Sequence, residues 1–386
     1  MLVKEQDYWN FGYNVFGPFL NGFVSWLHEK CRHLQPKKIF FFSRDGYIMQ
    51  KAFCFYEKIY NSSFSHEYVY FSRNSLRRAL IWDCSSYEEA ISYLTKERFF
   101  LFAEIAAYFG VEKCECSEFL KQNKILWHER IAFSSLKNNE IIRHFFYSYK
   151  KIIQERSRAQ YENILSYFKQ IGLDGKVVIV DIGWHGGMQF YLERLLEKAN
   201  VASEITGLYI GINPTYNLKG AALGYLFNAE NSKYSKDVLC FLGVFERLFQ
   251  SLEGSTDNYY MQNGIIVPVL KPYEYENDLQ IQQYIRCLQN GALIFVEKFA
   301  DDSTKKSYMP LLKFGKNPTN EQVRLFKFFY TADGGKFFCV PQKKIYQYSL
   351  KEYITDLGRS TWKTGFLKGS FKLPLPYFWI YKLLKK

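Results

Sequence analysis

Two short segments of the chain combine residue types that bind phosphate groups. The first, Ser43-Arg44-Asp45-Gly46, follows the apolar run Lys38-Ile-Phe-Phe-Phe42 and precedes a stretch of helical periodicity. Where a strand leads into a helix, backbone amides and the helix dipole favour an anion, and Arg44 adds a bidentate phosphate donor. We therefore predict that these four residues form a phosphate-binding loop. The alternative is an ordinary turn in which Asp45 caps the helix.

The second segment, residues 181–189, carries a more specific signal. Its sequence is Asp-Ile-Gly-Trp-His-Gly-Gly-Met-Gln, in which three glycines within five positions let the backbone wrap closely around a phosphate. Asp181, at the end of an apolar run, can accept hydrogen bonds from sugar hydroxyls or hold a hydrated metal ion. His185 is either a phosphate donor or acceptor-activating base, or a solvated loop histidine. The predicted ligand-binding residues of this loop are Asp181, Gly183, Trp184, His185, Gly186, Gly187 and Gln189.

Charged side chains outside the two loops supply further candidates. Three arginines, Arg73, Arg77 and Arg78, follow another apolar run. They either contact a pyrophosphate group, with Arg73 the nearest to the strand end, or form the solvated face of a helix. Glu246 and Glu253 are seven residues apart on a predicted helix, so they share one face. They are either bases that act on an incoming sugar hydroxyl or ordinary surface carboxylates.

Several known phosphate motifs are absent from the sequence. It has neither the Gly-Lys-Ser/Thr loop of nucleoside triphosphatases nor the Gly-x-Gly-x-x-Gly of dinucleotide folds, which disfavours a kinase, GTPase or dehydrogenase. A haloacid-dehalogenase-like (HAD-like) phosphatase needs Asp-x-Asp after its first strand, but Ser43 stands at the nucleophile position. A serine cannot replace that metal-bound carboxylate. The sequence has no helix-turn-helix or base-stacking pattern, so nucleic acid is not an expected partner.

Five apolar runs must position these loops. They cover residues 38–42, 68–71, 176–180, 207–212 and 223–227, and helical patterns separate several of them. Continuous apolar runs that alternate with helices predict an α/β fold with a parallel, doubly wound sheet of five strands. Ligands of such sheets bind beyond the carboxyl ends of the strands, at the point where the strand order reverses. We therefore expect both phosphate loops at that edge.

The remaining chain divides into an insertion and a C-terminal region. Residues 85–170 show helical patterns and no convincing strand, which predicts a helical insertion. We assign residues 1–240 to an α/β phosphate-binding core that contains the insertion. Residues 241–386 form a smaller α+β region, in which Asn263-Gly264 between two apolar runs predicts a β-hairpin.

The composition indicates a globular protein with anionic partners. Hydrophobic residues make up 48% of the 386 residues, and the net charge of +13 suits phosphates or an anionic membrane surface. Aromatic residues reach 19%, more than a core needs, so many should line surfaces that contact carbohydrate or a membrane interface. The eight cysteines lack the spacing of a zinc ribbon, and we predict reduced thiols in a cytosolic protein.

The two ends of the chain bear on its localisation. The N-terminal residues 1–7 include acidic side chains before any apolar stretch, so we predict no signal peptide, and no apolar run is long enough to span a bilayer. Residues 371–386 mix aromatic residues with lysines. This segment is either an interfacial membrane anchor or an element docked on the core. We expect a cytoplasmic protein, either free or peripheral on the inner face of the membrane.

The two loops together resemble those of the type I phosphoribosyltransferases. In that family one strand ends in a small pyrophosphate loop, which Phe42-Ser-Arg-Asp-Gly46 partly matches, and a later strand ends in the loop that binds phosphoribosyl pyrophosphate (PRPP). The segment Val177-Val-Ile-Val-Asp181 and the glycines from Gly183 to Gly187 are similar to the second loop. Ile182 stands where the family has a second acid. The resemblance implies a phosphoribosyltransferase-like sheet and PRPP bound together with Mg²⁺.

The whole chain resembles proteins of bacterial capsule and O-antigen polysaccharide clusters, which are often described as HAD-like hydrolases. Shared features are a Gly-Pro helix at Gly17, the Arg-Asp-Gly loop, Ser72-Arg73, the Asp-Ile-Gly-Trp-x-Gly loop and Glu253-Gly-Ser255. The resemblance implies transfer of a 5-phosphoribosyl group from PRPP to a lipid-linked oligosaccharide, with a separate phosphatase as a partner. The alternatives are a HAD-like phosphatase, a nucleotide-sugar glycosyltransferase and a non-enzymatic capsule-assembly protein.

Overall fold

The computed structural model describes residues 4–95, 99–331 and 336–384, and its centre is one five-stranded sheet. The strands of the described residues are β1 (Lys38–Phe42), β2 (His66–Val69), β3 (Phe99–Leu101), β4 (Arg130–Ala132), β5 (Gly175–Trp184), β6 (Ser203–Ile212), β7 (Ala221–Phe227), β8 (Thr256–Gln262), β9 (Ile265–Leu270), β10 (Tyr330–Thr331) and β11 (Phe337–Phe338). The central sheet has the order β2-β1-β5-β6-β7 with all strands parallel, so the predicted five-stranded parallel sheet is confirmed.

Helices cover both faces of the sheet. They are α1 (Glu5–Phe11), α2 (Gly17–Leu34), α3 (Gly46–Ile59), α4 (Arg73–Arg78), α5 (Tyr87–Ser92), α6 (Phe102–Tyr108), α7 (Ser117–Gln122), α8 (Glu140–Ile171), α9 (Gly187–Lys198), α10 (Ser235–Leu239), α11 (Leu242–Phe249), α12 (Leu279–Phe299), α13 (Met309–Lys316), α14 (Asn320–Leu325), α15 (Leu350–Arg359), α16 (Lys363–Phe371) and α17 (Tyr377–Leu384). A π-helical turn, Gly12–Phe16, joins α1 to α2, and short 3₁₀ turns occur at Phe133–Asn138, Ser303–Lys305 and Ile345–Gln347.

The alternation of strand side chains explains the two layers of helices. In β1, Ile39 and Phe41 pack against a cluster formed by α1 to α3 and α11 to α14, whereas Phe40 and Phe42 pack against α8 and α9. Because all four side chains are buried, β1 needs apolar residues at every position. This requirement accounts for its continuous apolar run.

The strand order reverses between β1 and β5. The chain leaves β1 for β2 on one side, while β5 lies on the other side and leads to β6 and β7. Helix α3 follows β1 and packs on one face of the sheet, and α9 follows β5 and packs on the opposite face. A crevice opens at such a point, beyond the carboxyl ends of the strands. Phe41 pairs with Val180, so both predicted phosphate loops begin within two residues of the same rung.

The predicted insertion is mostly helical, but the prediction that it contains no strand was wrong. Two three-residue strands, β3 and β4, pair in antiparallel fashion with Phe99 opposite Ala132. Strands this short carry too few residues for a periodic pattern, so no local signal indicated them. Residues between Ile81 and Ile153 form a separate buried cluster, while the C-terminal half of α8 covers the sheet.

The chain beyond residue 240 packs against its beginning. Helix α12 contacts α1 and α2, and the buried cluster on that face contains residues from both sides of residue 240. The predicted hairpin is confirmed, because β8 and β9 are joined by Asn263 and Gly264, whose φ angles of 51° and 78° fit a type I′ turn.

The described part of the tail forms α16 and α17. In α17, Tyr377, Phe378 and Tyr381 are buried, whereas Trp379 and Leu383 are 66% and 70% exposed. The predictions for residues 1–3 and 385–386 lie outside the described residues. Within the described ranges, no helix combines the length and apolar character needed to cross a bilayer. All eight cysteines are free thiols.

Candidate functional site

Three carboxylates meet at the point where the strand order reverses. Asp45 follows β1, Asp181 lies three residues before the end of β5 with 9% of its surface exposed, and Glu246 comes from α11. Burial raises the pKa of Asp45 well above its usual range, and the charges of Asp181 and Glu246 add to the effect. Burial likewise raises the pKa of Asp181 to about 6, with a further contribution from Glu246. The three groups therefore act as one acidic cluster.

The acidic cluster does not serve the helix that follows it. Asp45 occupies the N-cap position of α3, but its side chain makes no capping hydrogen bond. The alternative of an ordinary capped turn is thus not what the structure has. Carboxylates held together with raised pKa values cost folding free energy unless a positive group joins them, which is the pattern of a functional site.

Arginines border the acidic cluster. Arg73, at the exposed start of α4, lowers the pKa of Asp181, and Arg44 and Arg247 lower that of Asp45. For both aspartates the loss of hydration outweighs the effect of the arginines, so the pKa values of Asp45 and Asp181 remain raised. The cluster can therefore take a cation while the neighbouring arginines take an anion.

The loop of residues 181–189, called the glycine loop here, has a positive φ at Gly183, Trp184 and Gly186, and at Gly183 only glycine fits. Gly183 has a φ of 105°, and a Cβ atom there would lie 2.3 Å from the carbonyl oxygen of Gly211. Gly186 is left-handed, with a φ of 75°, and α9 begins at the next residue. The backbone amides of Ile182 and Gly183 bond to the Asp181 carboxylate and lower its pKa against the effect of burial. These two amides thus help to orient the Asp181 carboxylate.

Trp184 connects the glycine loop to α11. Its indole Nε1 donates to Glu246 Oε1 at 3.0 Å. The ring stacks on Phe227 at 5.9 Å between centroids and meets Phe245 edge to face. With one polar contact and two ring contacts, Trp184 fixes the position of the Glu246 carboxylate.

A second charged cluster supports the first loop, and sequence reasoning missed its main members. Arg44 Nη1 donates to Glu274 Oε2 at 2.5 Å and to the Glu253 carbonyl at 3.1 Å, and Arg247 also pairs with Glu274. Burial raises the pKa of Glu274, but Arg247 and Arg44 outweigh it, and the net pKa is lowered. Both of these bonds are made by Arg44 Nη1. With the described residues as partners, its Nη2 and Nε atoms make no such bond and can donate to a ligand.

Glu253 does not lie on a helix with Glu246. Helix α11 ends at Phe249, so the predicted shared face is wrong, and Glu253 belongs to the following loop. Its carboxylate accepts from the hydroxyls of Tyr68 at 2.5 Å and Ser251 at 2.8 Å. Glu253 therefore ties this loop to β2 and, through its carbonyl, to Arg44.

Ser43 and Gly46 shape the first loop. The Ser43 amide donates to the Val69 carbonyl at 2.9 Å, and its hydroxyl donates to the Phe71 carbonyl at 3.1 Å, so Ser43 extends the pairing of β1 with β2. A Cβ at Gly46 would lie 2.8 Å from the backbone of Phe41. Gly46 thus lets α3 start close against its strand.

Other predicted residues lie outside the acidic cluster. His185 is exposed at the tip of the loop. Gln189 is fully buried, where it donates to Glu193 at 2.8 Å and accepts from Tyr209 at 2.8 Å, so it supports the sheet. Gly187 packs beside the Tyr216 ring. The structure therefore brings together Asp45, Asp181, Glu246, Arg44, Arg73 and Trp184, but not these three residues.

Arg77 and Arg78 fit neither of the two roles considered for them. Arg77 contacts Asn74 and donates to Thr95 Oγ1 at 3.2 Å, with its guanidinium over the Tyr108 ring. Arg78 pairs with Asp257 at 3.6 Å. Burial lowers the pKa of both arginines. They fasten α4 to the insertion and the hairpin, instead of forming a solvated helix face.

The donor chemistry of the acidic cluster fits a magnesium ion bound with a phosphorylated ligand. Carboxylate oxygens are the protein ligands that Mg²⁺ prefers, and it is commonly held by one or two carboxylates together with substrate phosphates. No protein-family model matches the chain, and no curated protein matches it. Its functional interpretation therefore rests on these residues and on the motifs that contain them.

Proposed function

We propose that this protein is a glycosyltransferase that transfers a 5-phosphoribosyl group from PRPP to a lipid-linked glycan and releases pyrophosphate. The observation that carries the proposal is the meeting of Asp45, Asp181 and Glu246 with Arg44 and Arg73 where the strand order reverses. These residues belong to the two loops that resemble the pyrophosphate and PRPP loops. A pyrophosphate donor with its metal ion supplies the cation and the anion that this cluster takes.

In this proposal each loop holds one end of the donor. The pyrophosphate lies on Ser43 to Gly46 and the ribose phosphate on residues 181–187, while the buried Gln189 supports the sheet. Asp45 and Asp181 would hold Mg²⁺, which supplies charge neutralisation to the diphosphate. Arg44 and Arg73 bind its oxygens, and Asp181 also orients the ribose.

The transfer exchanges one bond at the anomeric carbon for another. The bond to the pyrophosphate oxygen breaks, and its electron pair leaves with the pyrophosphate. A glycan hydroxyl oxygen forms the new bond to carbon and gives its proton to a carboxylate. Glu246 is the proposed base, because Trp184 holds it beside Asp181. His185, on the exposed loop tip, is the alternative base.

The acceptor would reach the site at the cytoplasmic membrane face. The net charge of +13 and the exposed Trp379 and Leu383 of α17 support a peripheral position on an anionic surface. The product still carries the 5-phosphate, so a separate phosphatase must remove it. A HAD-like phosphatase is the weaker candidate, because the position of its nucleophilic aspartate is occupied by Ser43. The Ser43 hydroxyl is also bonded to the Phe71 carbonyl.

Calorimetric titration tests the proposal. The wild type and the Asp181→Asn variant are titrated with PRPP, with and without Mg²⁺, and with UDP- and CDP-linked sugars. The control is Asp174→Asn, an exposed aspartate paired with Lys37 just before the same strand. We expect magnesium-dependent PRPP binding that Asp181→Asn abolishes and Asp174→Asn retains. Binding of a nucleotide sugar alone would replace the donor, and no binding of any ligand would favour a non-enzymatic assembly protein.

A further inference from the structure

A separate group of side chains with three different donor atoms lies at the amino-terminal edge of the sheet, opposite the edge that carries the first loop. Cys54 and Glu57 are three residues apart on α3, and His66 is the first residue of β2. His66 Nε2 is 2.9 Å from Glu57 Oε2 and 3.9 Å from Cys54 Sγ, and one donor atom from each residue lies within 4.8 Å of the others. The spacing of the cysteines predicted reduced thiols, and no pattern in the sequence indicated this group.

The remaining polar atoms of the group are held by neighbours. Gln50 lies 3.1 Å from His66 Nδ1, and Glu57 Oε1 accepts from the Phe64 amide at 2.8 Å. The Gln50 atom that faces Nδ1 is the amide nitrogen Nε2. When Nε2 of a histidine binds a metal, its Nδ1 carries the proton, so the Gln50 amide would turn and accept from Nδ1–H through Oε1, which fixes the ring and the tautomer. The side chains of His66 and Glu57 are 17% and 14% exposed, so the group is shielded but reachable from solvent.

We propose that Cys54, Glu57 and His66 bind one Zn²⁺ ion through Sγ, a carboxylate oxygen and Nε2. A thiolate with an imidazole and a carboxylate suits zinc, whereas Mg²⁺ and Ca²⁺ take oxygen ligands only. Three protein ligands leave the fourth tetrahedral position to water. Binding involves no redox step: the cysteine thiol loses its proton to solvent, and the resulting thiolate bonds to the metal. A simple Glu57–His66 ion pair would not need Cys54 beside it.

The ion would join two elements that lead into the acidic cluster. Helix α3 begins next to Asp45, and β2 leads towards Arg73 at the start of α4. A bond between the C-terminal half of α3 and the first residue of β2 closes the loop that connects them. The zinc would therefore stabilise the scaffold of the first phosphate loop. This inference does not depend on the proposed transferase activity.

Metal substitution on the full chain tests the site directly. Protein stripped with a chelator is titrated with Zn²⁺ and separately with Co²⁺, and bound metal is measured by atomic spectrometry. We expect one equivalent of metal, a thiolate-to-cobalt charge-transfer band and a rise in melting temperature. Cys54→Ser should remove the band and weaken zinc binding at least tenfold. Cys114→Ser, which replaces an exposed thiol beside Glu112, should change neither.

A second variant separates metal binding from folding. Gln50→Ala removes only the partner of His66 Nδ1, so it should lower zinc affinity about tenfold while the metal-free protein melts as the wild type does. Failure of the wild type to take up zinc, a cobalt spectrum without a thiolate band, or a band that persists in Cys54→Ser would overturn the proposal. Loss of the band in Cys114→Ser would place the thiolate elsewhere and overturn it equally.

Discussion

Asp181 is a carboxylate whose position costs the protein stability. Its pKa in the folded state is about 6, and in an unfolded chain it is about 3.9. Between these values the folded state binds more protons than the unfolded state, so this residue lowers stability as pH rises through that window. Above pH 6 the folded protein carries the full cost of the buried charge. A position maintained at such a cost is consistent with a role in binding.

Replacing this carboxylate should therefore stabilise the protein. We expect Asp181→Asn to raise the free energy of unfolding at pH 7 by on the order of 1–2 kcal/mol, because the amide carries no charge and still accepts from the Ile182 and Gly183 amides. The gain should shrink towards zero near pH 4. Thermal melting of both proteins across this pH range measures it. Asp174→Asn should show no such gain, and a destabilised Asp181→Asn at pH 7 would contradict the argument.

In the proposed transfer reaction, Trp184 would act through the position of Glu246. Trp184→Phe keeps the ring beside Phe227 but loses the indole donor, so Glu246 loses a hydrogen bond to a charged group, worth about 1.5–3 kcal/mol. We expect turnover to fall about tenfold or more while PRPP affinity changes little. The pH–rate profile should shift, since the base is less well fixed. Trp127→Phe, in the insertion, is the matched control, and equal losses in both variants would refute the positioning role.

The site residues differ in how far sequence could reveal them. Asp45 and Asp181 follow apolar runs, and the order of elements in a parallel sheet brings such positions to one edge. Glu274 has no local pattern, and it meets Arg44 across 230 residues of chain. Glu253 was assigned to the wrong element, because the helical pattern continues past Phe249 while the Gln250 backbone turns to an extended conformation. Long-range packing decides such contacts, and one sequence does not encode it locally.

At the level of elements, the passage from β5 to α9 depends on Gly183. Gly183→Ala would bring a Cβ within 2.3 Å of the Gly211 carbonyl at a φ of 105°. We expect a loss of about 3 kcal/mol or more in the free energy of unfolding, measured by urea denaturation. Gly264→Ala is the control, because its φ is also positive but no atom lies within 4 Å of the added Cβ. It should cost only about 1 kcal/mol, and equal losses would assign the effect to backbone conformation alone.

Elements with strong local signals were predicted well. The inner strands β1, β5 and β6 contain continuous apolar runs because both faces of the sheet are covered there, and Asn263-Gly264 defines its turn by its conformational preference. The edge strand β2, His66–Val69, begins and ends two residues before the predicted run 68–71, because this half-buried strand carries polar residues. The strands β3 and β4 were missed because three residues give no periodicity. The insertion was predicted from its helical periodicity. Its separate buried cluster depends on long-range contacts that this periodicity does not specify.

For the whole molecule, α17 presents the main candidate for a membrane contact. Trp379 and Leu383 are exposed on a helix whose other face is docked, and the chain carries a net charge of +13. The double variant Trp379→Glu with Leu383→Glu should fold normally but bind anionic vesicles about tenfold more weakly in a sedimentation assay. The control pair, Leu126→Glu with Leu279→Glu, replaces leucines of similar exposure elsewhere. Equal binding by the wild type and the α17 variant would remove α17 as the contact.

Because Trp184 is hydrogen-bonded to Glu246, its intrinsic fluorescence should report on the acidic cluster. Indole emission responds to charge and hydrogen bonding at the ring nitrogen, and here that nitrogen touches a carboxylate of the acidic cluster. A ligand or cation that interacts with the Glu246 carboxylate will change the wavelength or the quantum yield of this emission. Subtracting the spectrum of Trp184→Phe isolates one of the seven tryptophans. Occupancy of the cluster can thus be followed without a label, before any acceptor is known.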